Sequence, residues 1–281
     1  MSTLLLVSGA SRGLGRAIAL ACARTPSLRD TALRAILVAR SDDGLLETEK
    51  QMRQLRPMNL DVRREVLDLS NLESLEQSMD PILEQEALTA ISSAPACSQA
   101  ILVNCAGSTG YIGKYPSLSE IRDATNLNFT SKAYLSTSFV RYFGIRRDET
   151  SPKTPSSQNI ACTVVNVSSM CAVKPTPTMA LYCATSAARD MYHTVLASDY
   201  PSNVRILNYA PGSCNTDMQE MLREHDRLDP AVQAYCRSLV DSESLVDCHD
   251  TASKLMHLVF TRDSFASGER IEYVNSSTYK Y

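Results

Sequence analysis

Short apolar runs alternate with longer segments of helical period along nearly the whole chain, and that alternation leaves few architectures open. Apolar, β-branched runs predict strands at 3–8, 34–39, 62–67, 100–104, 161–167, 204–209 and 270–274. Helical spacing predicts helices at 13–24, 43–56, 71–90, 119–143, 179–199, 230–240 and 247–260. Strands joined through helices pair in parallel, and the helices then cover both faces of the sheet. The expected fold is therefore α/β: a Rossmann-like doubly wound parallel sheet of about seven strands with helices on both faces. Two stretches break the pattern. Arg146–Asn159 is charged and then rich in Pro, Ser and Thr, which predicts a surface loop inserted over 145–159, ahead of the fifth strand. Ser92–Ser98 is a shorter irregular patch ahead of the fourth strand. Neither separates two cores, so 1–281 is expected to be a single domain.

Charge and cysteine content narrow the function class. A net charge of −3 with no basic cluster argues against nucleic acid or a membrane surface as partner. Nine scattered cysteines with no CxxC pair argue against a zinc site or a disulfide framework and suggest a reducing compartment. The run Leu4–Val7 is too short for the core of a signal peptide, and nothing approaches the ~18 apolar residues of a membrane helix. A cytoplasmic protein is expected. His193, His225, His249 and His257 lack metal-ligand spacing, and Cys171 and Cys214 read as packing residues.

The first strand runs into Gly9-Ala10-Ser11-Arg12-Gly13-Leu14-Gly15 and then into a helix. Glycines there permit a tight turn and close approach of a ligand to the backbone, and the N-terminus of the following helix attracts pyrophosphate. The GxxxGxG spacing differs from the general dinucleotide GxGxxG, and a plain strand–helix turn also uses glycines. The second strand ends at Arg40-Ser41, with no acid placed to hold ribose hydroxyls. Arg40, and Arg12 in the glycine turn, suit the 2′-phosphate of NADP(H), or else stay solvated.

The stretch Thr163–Met191 carries the chemistry. A strand ends at Ser168-Ser169, and thirteen residues after Ser169 a helix opens with Tyr182. Both hydroxyls can aim into the crevice at the carboxyl ends of a parallel sheet, where such folds bind ligands. A tyrosine there can deliver a proton to a carbonyl oxygen that a serine holds in place. With the glycine turn, this pair resembles the short-chain dehydrogenase/reductase family, and within it the pterin-reducing sepiapterin reductase branch. Further matches are Asn104-Cys105-Ala106-Gly107, Asn208–Gly212 followed by Thr216–Gln219, Tyr182-Cys183-Ala184, Ala187–Met191 and Leu245–Cys248. The likeness spans Leu4 to about Val274. Its one sharp departure is Ser186, which stands where the family carries a lysine.

The resemblance implies an NADPH-dependent reductase, forming a homodimer, that acts on pterin side-chain carbonyls of the sepiapterin or 6-pyruvoyl-tetrahydropterin type. It implies Tyr182 as proton donor, Ser169 as the residue orienting the carbonyl, and Asn128 as the holder of a proton-relay water. Asn128 bonded simply to backbone is the alternative. Cofactor contacts are implied for Gly9, Ser11, Arg12, Gly13, Leu14, Gly15, Arg40, Ser41, Asp68, Leu69, Asn104, Ala106, Gly107, Tyr182, Pro211, Gly212, Cys214, Thr216 and Met218. Asp68 either meets the adenine or caps the next helix. Substrate contacts are implied for Ser169, Met170, Tyr182 and Gly212, with Glu272 either anchoring the pterin or lying solvated at a strand edge. Without the lysine, Tyr182 loses a charge that at ~4 Å and an effective dielectric of ~20 contributes about 4 kcal/mol, or roughly three pKa units. Slow reduction and weaker cofactor binding are the expectation, and Lys132, one turn beyond Asn128, offers a second source of charge. Two rival readings are a cofactor-binding sensor or scaffold with little catalysis, and a reductase of another small dicarbonyl.

Overall fold

The computed structural model describes residues 1–92, 96–144, 160–200 and 204–273. Seven strands, β1 Ser2–Ser8, β2 Ala32–Ala39, β3 Leu60–Val66, β4 Cys97–Asn104, β5 Ala161–Val167, β6 Val204–Ala210 and β7 Arg270–Glu272, form one sheet in the order β3-β2-β1-β4-β5-β6-β7. Every pairing is parallel; β1 lies between β2 (Ser2↔Ala32 to Ser8↔Val38) and β4 (Thr3↔Gln99 to Ser8↔Asn104). The chain order reverses across β1 and β4, which opens a crevice at their carboxyl ends.

Strand alternation divides the core in two. Leu5 and Val7 of β1, Ile101 and Val103 of β4, and Leu207 and Tyr209 of β6 face α1 (Gly13–Arg24), α2 (Asp42–Leu55) and α9 (Cys248–Phe260). Leu4 and Leu6, Ala100 and Leu102, and Val204 and Ile206 face α3 (Leu72–Ser92), α5 (Ser131–Phe143) and α6 (Ala180–Asp199). Burial on both faces is why these strands read as continuous apolar runs rather than alternating ones. No helix among the described residues is long and apolar enough to cross a membrane.

Two elements depart from expectation. The helix expected over 119–143 is broken into α4 (Leu118–Thr125), a π turn (Asn126–Thr130) and α5. The break coincides with buried Asn128, whose side chain accepts from Ser108 N (3.0 Å) and donates to Ser108 O (2.7 Å). A π turn inserts one residue, a device common at functional sites, and here it lets the side chain reach across to the loop after β4. The second departure is α7 (Asp217–Glu224), which precedes the expected α8 (Pro230–Asp241). Eight residues are too short for a periodic signal. Elsewhere strand and helix ends shift by up to three residues, as ends commonly do. The loop expected over 145–159 and the strand end at Val274 lie outside the described residues. Of the patch Ser92–Ser98, Ser92 closes α3 and Cys97 opens β4.

Candidate active site

A cleft of about 740 Å³ follows the carboxyl ends of the strands from the glycine turn to β7. Its glycine end is built of backbone. Gly9 N and Ala10 N donate to Val38 O (2.8 and 3.2 Å), and Ser8 Oγ accepts from Cys105 N and Ala106 N (3.1 and 3.2 Å), clamping the ends of β1, β2 and β4 together. Gly9 has φ +75°, and a Cβ on it would lie 2.8 Å from the Ala106 backbone. A Cβ on Gly15 would lie 2.1 Å from Gly9 O, so α1 begins as close to β1 as backbone permits. The first turn of α1 then offers its unpaired N–H groups to the cleft.

Around that turn, Ser11, Arg12, Gly13 and Leu14 line the cleft with Gly9 and Gly15, as do Arg40, Ser41, Asp68 and Leu69. Arg12 is ion-paired with Asp217 at the start of α7, its guanidinium still largely in water. Arg40 is exposed on the wall beside it. Ser41 caps α2, its hydroxyl accepting from Gly44 N at 3.1 Å. Asp68 does not cap α3, because Asn71 Oδ1 accepts from Ser74 N there (3.2 Å). It accepts instead from Ser70 N and Oγ (2.9 and 2.7 Å). Partial burial pushes its carboxyl up, but those bonds and the Arg40 charge outweigh it and hold the group ionised.

The other end is built of side chains from several elements. Ser169 follows β5, and its Oγ accepts from Cys171 N (3.2 Å); Tyr182 enters from the first turn of α6. Burial raises the Tyr182 phenol above its ordinary value, while the charge of Arg189 and hydrogen bonds to Ser169 and Arg189 pull it down. Ser169 and Tyr182 line the same end of the cleft, and the phenol stays protonated well beyond neutrality. Arg189 is 2% exposed, with its guanidinium 5.9 Å from the Tyr182 ring centre. Residues 182, 186 and 189 share one face of α6, and helical side chains lean toward the N-terminus, so Arg189 reaches back over Ser186 to the phenol. Its Nη1 donates to Asn128 O at 3.4 Å.

Behind this face runs a buried chain of hydrogen bonds. Asn104 Nδ2 donates to Ser136 Oγ (2.8 Å), which is 2.8 Å from His193 Nε2. His193 Nδ1 lies 2.6 Å from Arg189 O, and since a carbonyl only accepts, Nδ1 carries the proton and Nε2 accepts from Ser136. Burial pushes the His193 pKa down to about 4, so the ring is neutral.

A second network closes the floor. Ser168 Oγ and Asn166 Nδ2 donate to Asp190 (2.6 and 2.8 Å), which commits the Ser168 hydroxyl to that carboxylate. Arg270 donates to Asp190 (3.3 Å), to Ser169 O (3.0 Å) and to Glu272 Oε1. Glu272 Oε2 is buried with no hydrogen-bond partner among the described residues, and the residue lines the cleft. Opposite stands an apolar wall of Met179, Leu222, Val232, Tyr235 and Cys236, contributed largely by α7 and α8. Cys171 touches Cys183, whose thiol is held low by that hydrogen bond.

Ala106, Gly107, Asn128, Met170, Pro211, Gly212, Cys214, Thr216 and Met218 also line this one cleft. Asn104 does not: fully buried, it supports the cleft from behind. Nor does Ser186, which is 0% exposed with its Oγ unpartnered. Of the two expectations for Asn128, the bonds seen are the local ones, and Arg189 occupies its carbonyl. Sequence reasoning passed over Arg189, whose signal was its spacing of seven residues from Tyr182. Lys132, weighed only as a spare charge, is in the lining.

A short chain dehydrogenase family model matches residues 3–227. Sepiapterin reductase of Meriones unguiculatus is 34% identical over 275 residues, covering 96% of either chain. The Rattus norvegicus sepiapterin reductase is 34% identical over 272 residues, 95% of either chain. Among solved structures, the KRED1-Pglu enzyme shares the fold with a TM-score of 0.73 at 22% identity, covering 96% of this chain and 100% of its own. The chain belongs to the short-chain dehydrogenase family of oxidoreductases.

Proposed function

We propose that this protein is an NADPH-dependent reductase of pterin side-chain carbonyls of the sepiapterin or 6-pyruvoyl-tetrahydropterin type. The observation that carries the reading is that Ser169 and Tyr182 line one end of a cleft whose other end is the glycine turn. The residues present fit a dinucleotide: Gly9 and Gly15 let the turn pack backbone to backbone against β4 and α1, as a tight phosphate-binding turn requires, and no carboxylate stands at position 40 to repel a 2′-phosphate. Gly9, Gly13, Arg40, Gly107 and Thr216 would hold it, and when bound it supplies the hydride. Ser169 orients the carbonyl oxygen and Tyr182 gives it a proton. The raised phenol suits that direction, because reduction uses the neutral form and oxidation needs the phenolate. Glu272 Oε2 is an acceptor still in need of donors, as the amino-pyrimidinone edge of a pterin would provide, and the apolar wall excludes water. The sepiapterin reductase relatives support the same substrate.

Ser186 puts no ammonium one turn after Tyr182, so turnover is expected to be slow rather than absent. The functional unit is expected to be a homodimer. NADPH oxidation with sepiapterin tests the reading, run beside Ser186→Lys, which is expected to be faster. NADPH binding with no carbonyl turned over would instead favour a sensor or scaffold.

A further inference from the structure

We propose that Lys132, carried on α5, is the amine that grips the cofactor at the Tyr182 end of the cleft, in place of an amine on α6. The inference rests on the reading that the cleft takes NADPH and adds a residue to that site. Lys132 is 2% exposed and lines the cleft. Its Nζ lies 3.7 Å from the point a Cβ on Gly107 would occupy, and Asn128 Oδ1 lies 3.3 Å from the same point. The side chain is thus enclosed by protein on every side but that of the cleft. Burial and the Arg189 charge hold the amine well below its ordinary pKa, with Cys105 and Asp190 acting the other way. An amine held in such surroundings at the cleft wall is poorly solvated, so it gains from a ligand that brings an acceptor. A ribose hydroxyl of a dinucleotide laid along Gly107 does so.

Helix packing explains why α5 can serve. Ser136 of α5 meets His193 of α6. One turn earlier on each helix come Lys132 and Arg189, and one turn earlier again Asn128 and the level of Thr185 and Ser186. The two helices thus run side by side in the same direction, and an amine from either reaches the same end of the cleft. Ser186, buried and with its hydroxyl unpartnered, leaves that volume to its neighbours.

The test is NADPH affinity, read by fluorescence titration, together with the melting temperature without ligand. Lys132→Met keeps the apolar stem. It is expected to weaken NADPH binding about tenfold, the loss of one hydrogen bond, while the unliganded protein melts no lower. Adding Ser186→Lys to Lys132→Met is expected to restore most of the affinity. A Lys132→Met protein that binds like the parent, one whose loss merely tracks a lower melting temperature, or a double variant no tighter than the single one overturns the proposal. A parent without NADPH affinity would remove both this proposal and the cofactor reading. A parent that binds NADPH but leaves sepiapterin untouched would remove only the substrate.

Discussion

At the glycine end of the cleft the floor is backbone, held by the closeness of β1, β4 and α1, with Arg12, Arg40 and Asp68 on its walls. At the Tyr182 end the lining is side chains brought by β5, the π turn, α5, α6 and β7. The first end tolerates almost no added atom and depends on few identities beyond glycine. The second gathers Ser169, Tyr182, Lys132, Arg189 and Glu272 from several elements. Binding and chemistry should accordingly fail separately.

The largest effect expected is at the chemical end. Tyr182→Phe removes the proton donor and should lower turnover about a hundredfold to ten-thousandfold with NADPH affinity kept. Gly15→Ala should do the reverse. With a Cβ 2.1 Å from Gly9 O the turn must open, so cofactor affinity and melting temperature fall together while Ser169 and Tyr182 keep their places. Steady-state kinetics at varied NADPH separates the two. A Gly15→Ala enzyme losing turnover at saturating NADPH, or a Tyr182→Phe enzyme losing affinity, would dissolve the division.

The support behind the chemical end should show in acid. His193 is neutral when folded, with a pKa of about 4, whereas an unfolded histidine takes its proton near 6.5. The unfolded state therefore binds the extra proton first. Stability is complete above about pH 6.5 and falls as pH drops toward 4, by up to roughly 3 kcal/mol from this one group. Melting temperature against pH, for the parent and for His193→Gln, measures it. The variant should start lower but show a shallower acid slope, and parallel slopes would mean that other groups carry the acid sensitivity.

How much of this was readable before the fold was known follows the same division. The alternation of strands and helices and the glycine turn are local patterns, and both translate directly into the sheet order and the cradle. Ser169 and Tyr182 are thirteen residues apart and legible for the same reason. Arg189 was not, because its reach to Tyr182 depends on a small side chain at 186 and on the Asn128 carbonyl that the π turn presents. Asn104 looked like a cleft residue but serves from behind, since the partner that turns it inward, Ser136, lies thirty-two residues away on another helix. Glu272 was readable as an acid near the cleft, but its division between Arg270 and an empty lone pair was not.

The smallest effect expected belongs to the contact that spans the glycine end. Arg12 and Asp217 are 205 residues apart in sequence, and their ion pair ties the glycine turn to α7, which helps wall the other half of the cleft. Both side chains are largely exposed, at 71% and 66%, so the pair stands in water and salt screens it. Such pairs contribute about 0–1 kcal/mol, so Asp217→Asn should change NADPH affinity by less than about fivefold. The direction is informative. If the pair serves as a clasp, the variant releases NADPH faster and the difference fades at high salt. If Arg12 is wanted instead by the 2′-phosphate, freeing it from Asp217 tightens NADPH and leaves NADH unchanged. Stopped-flow release of the two cofactors from parent and variant, at low and high salt, distinguishes a clasp between the two ends from a competition for one guanidinium.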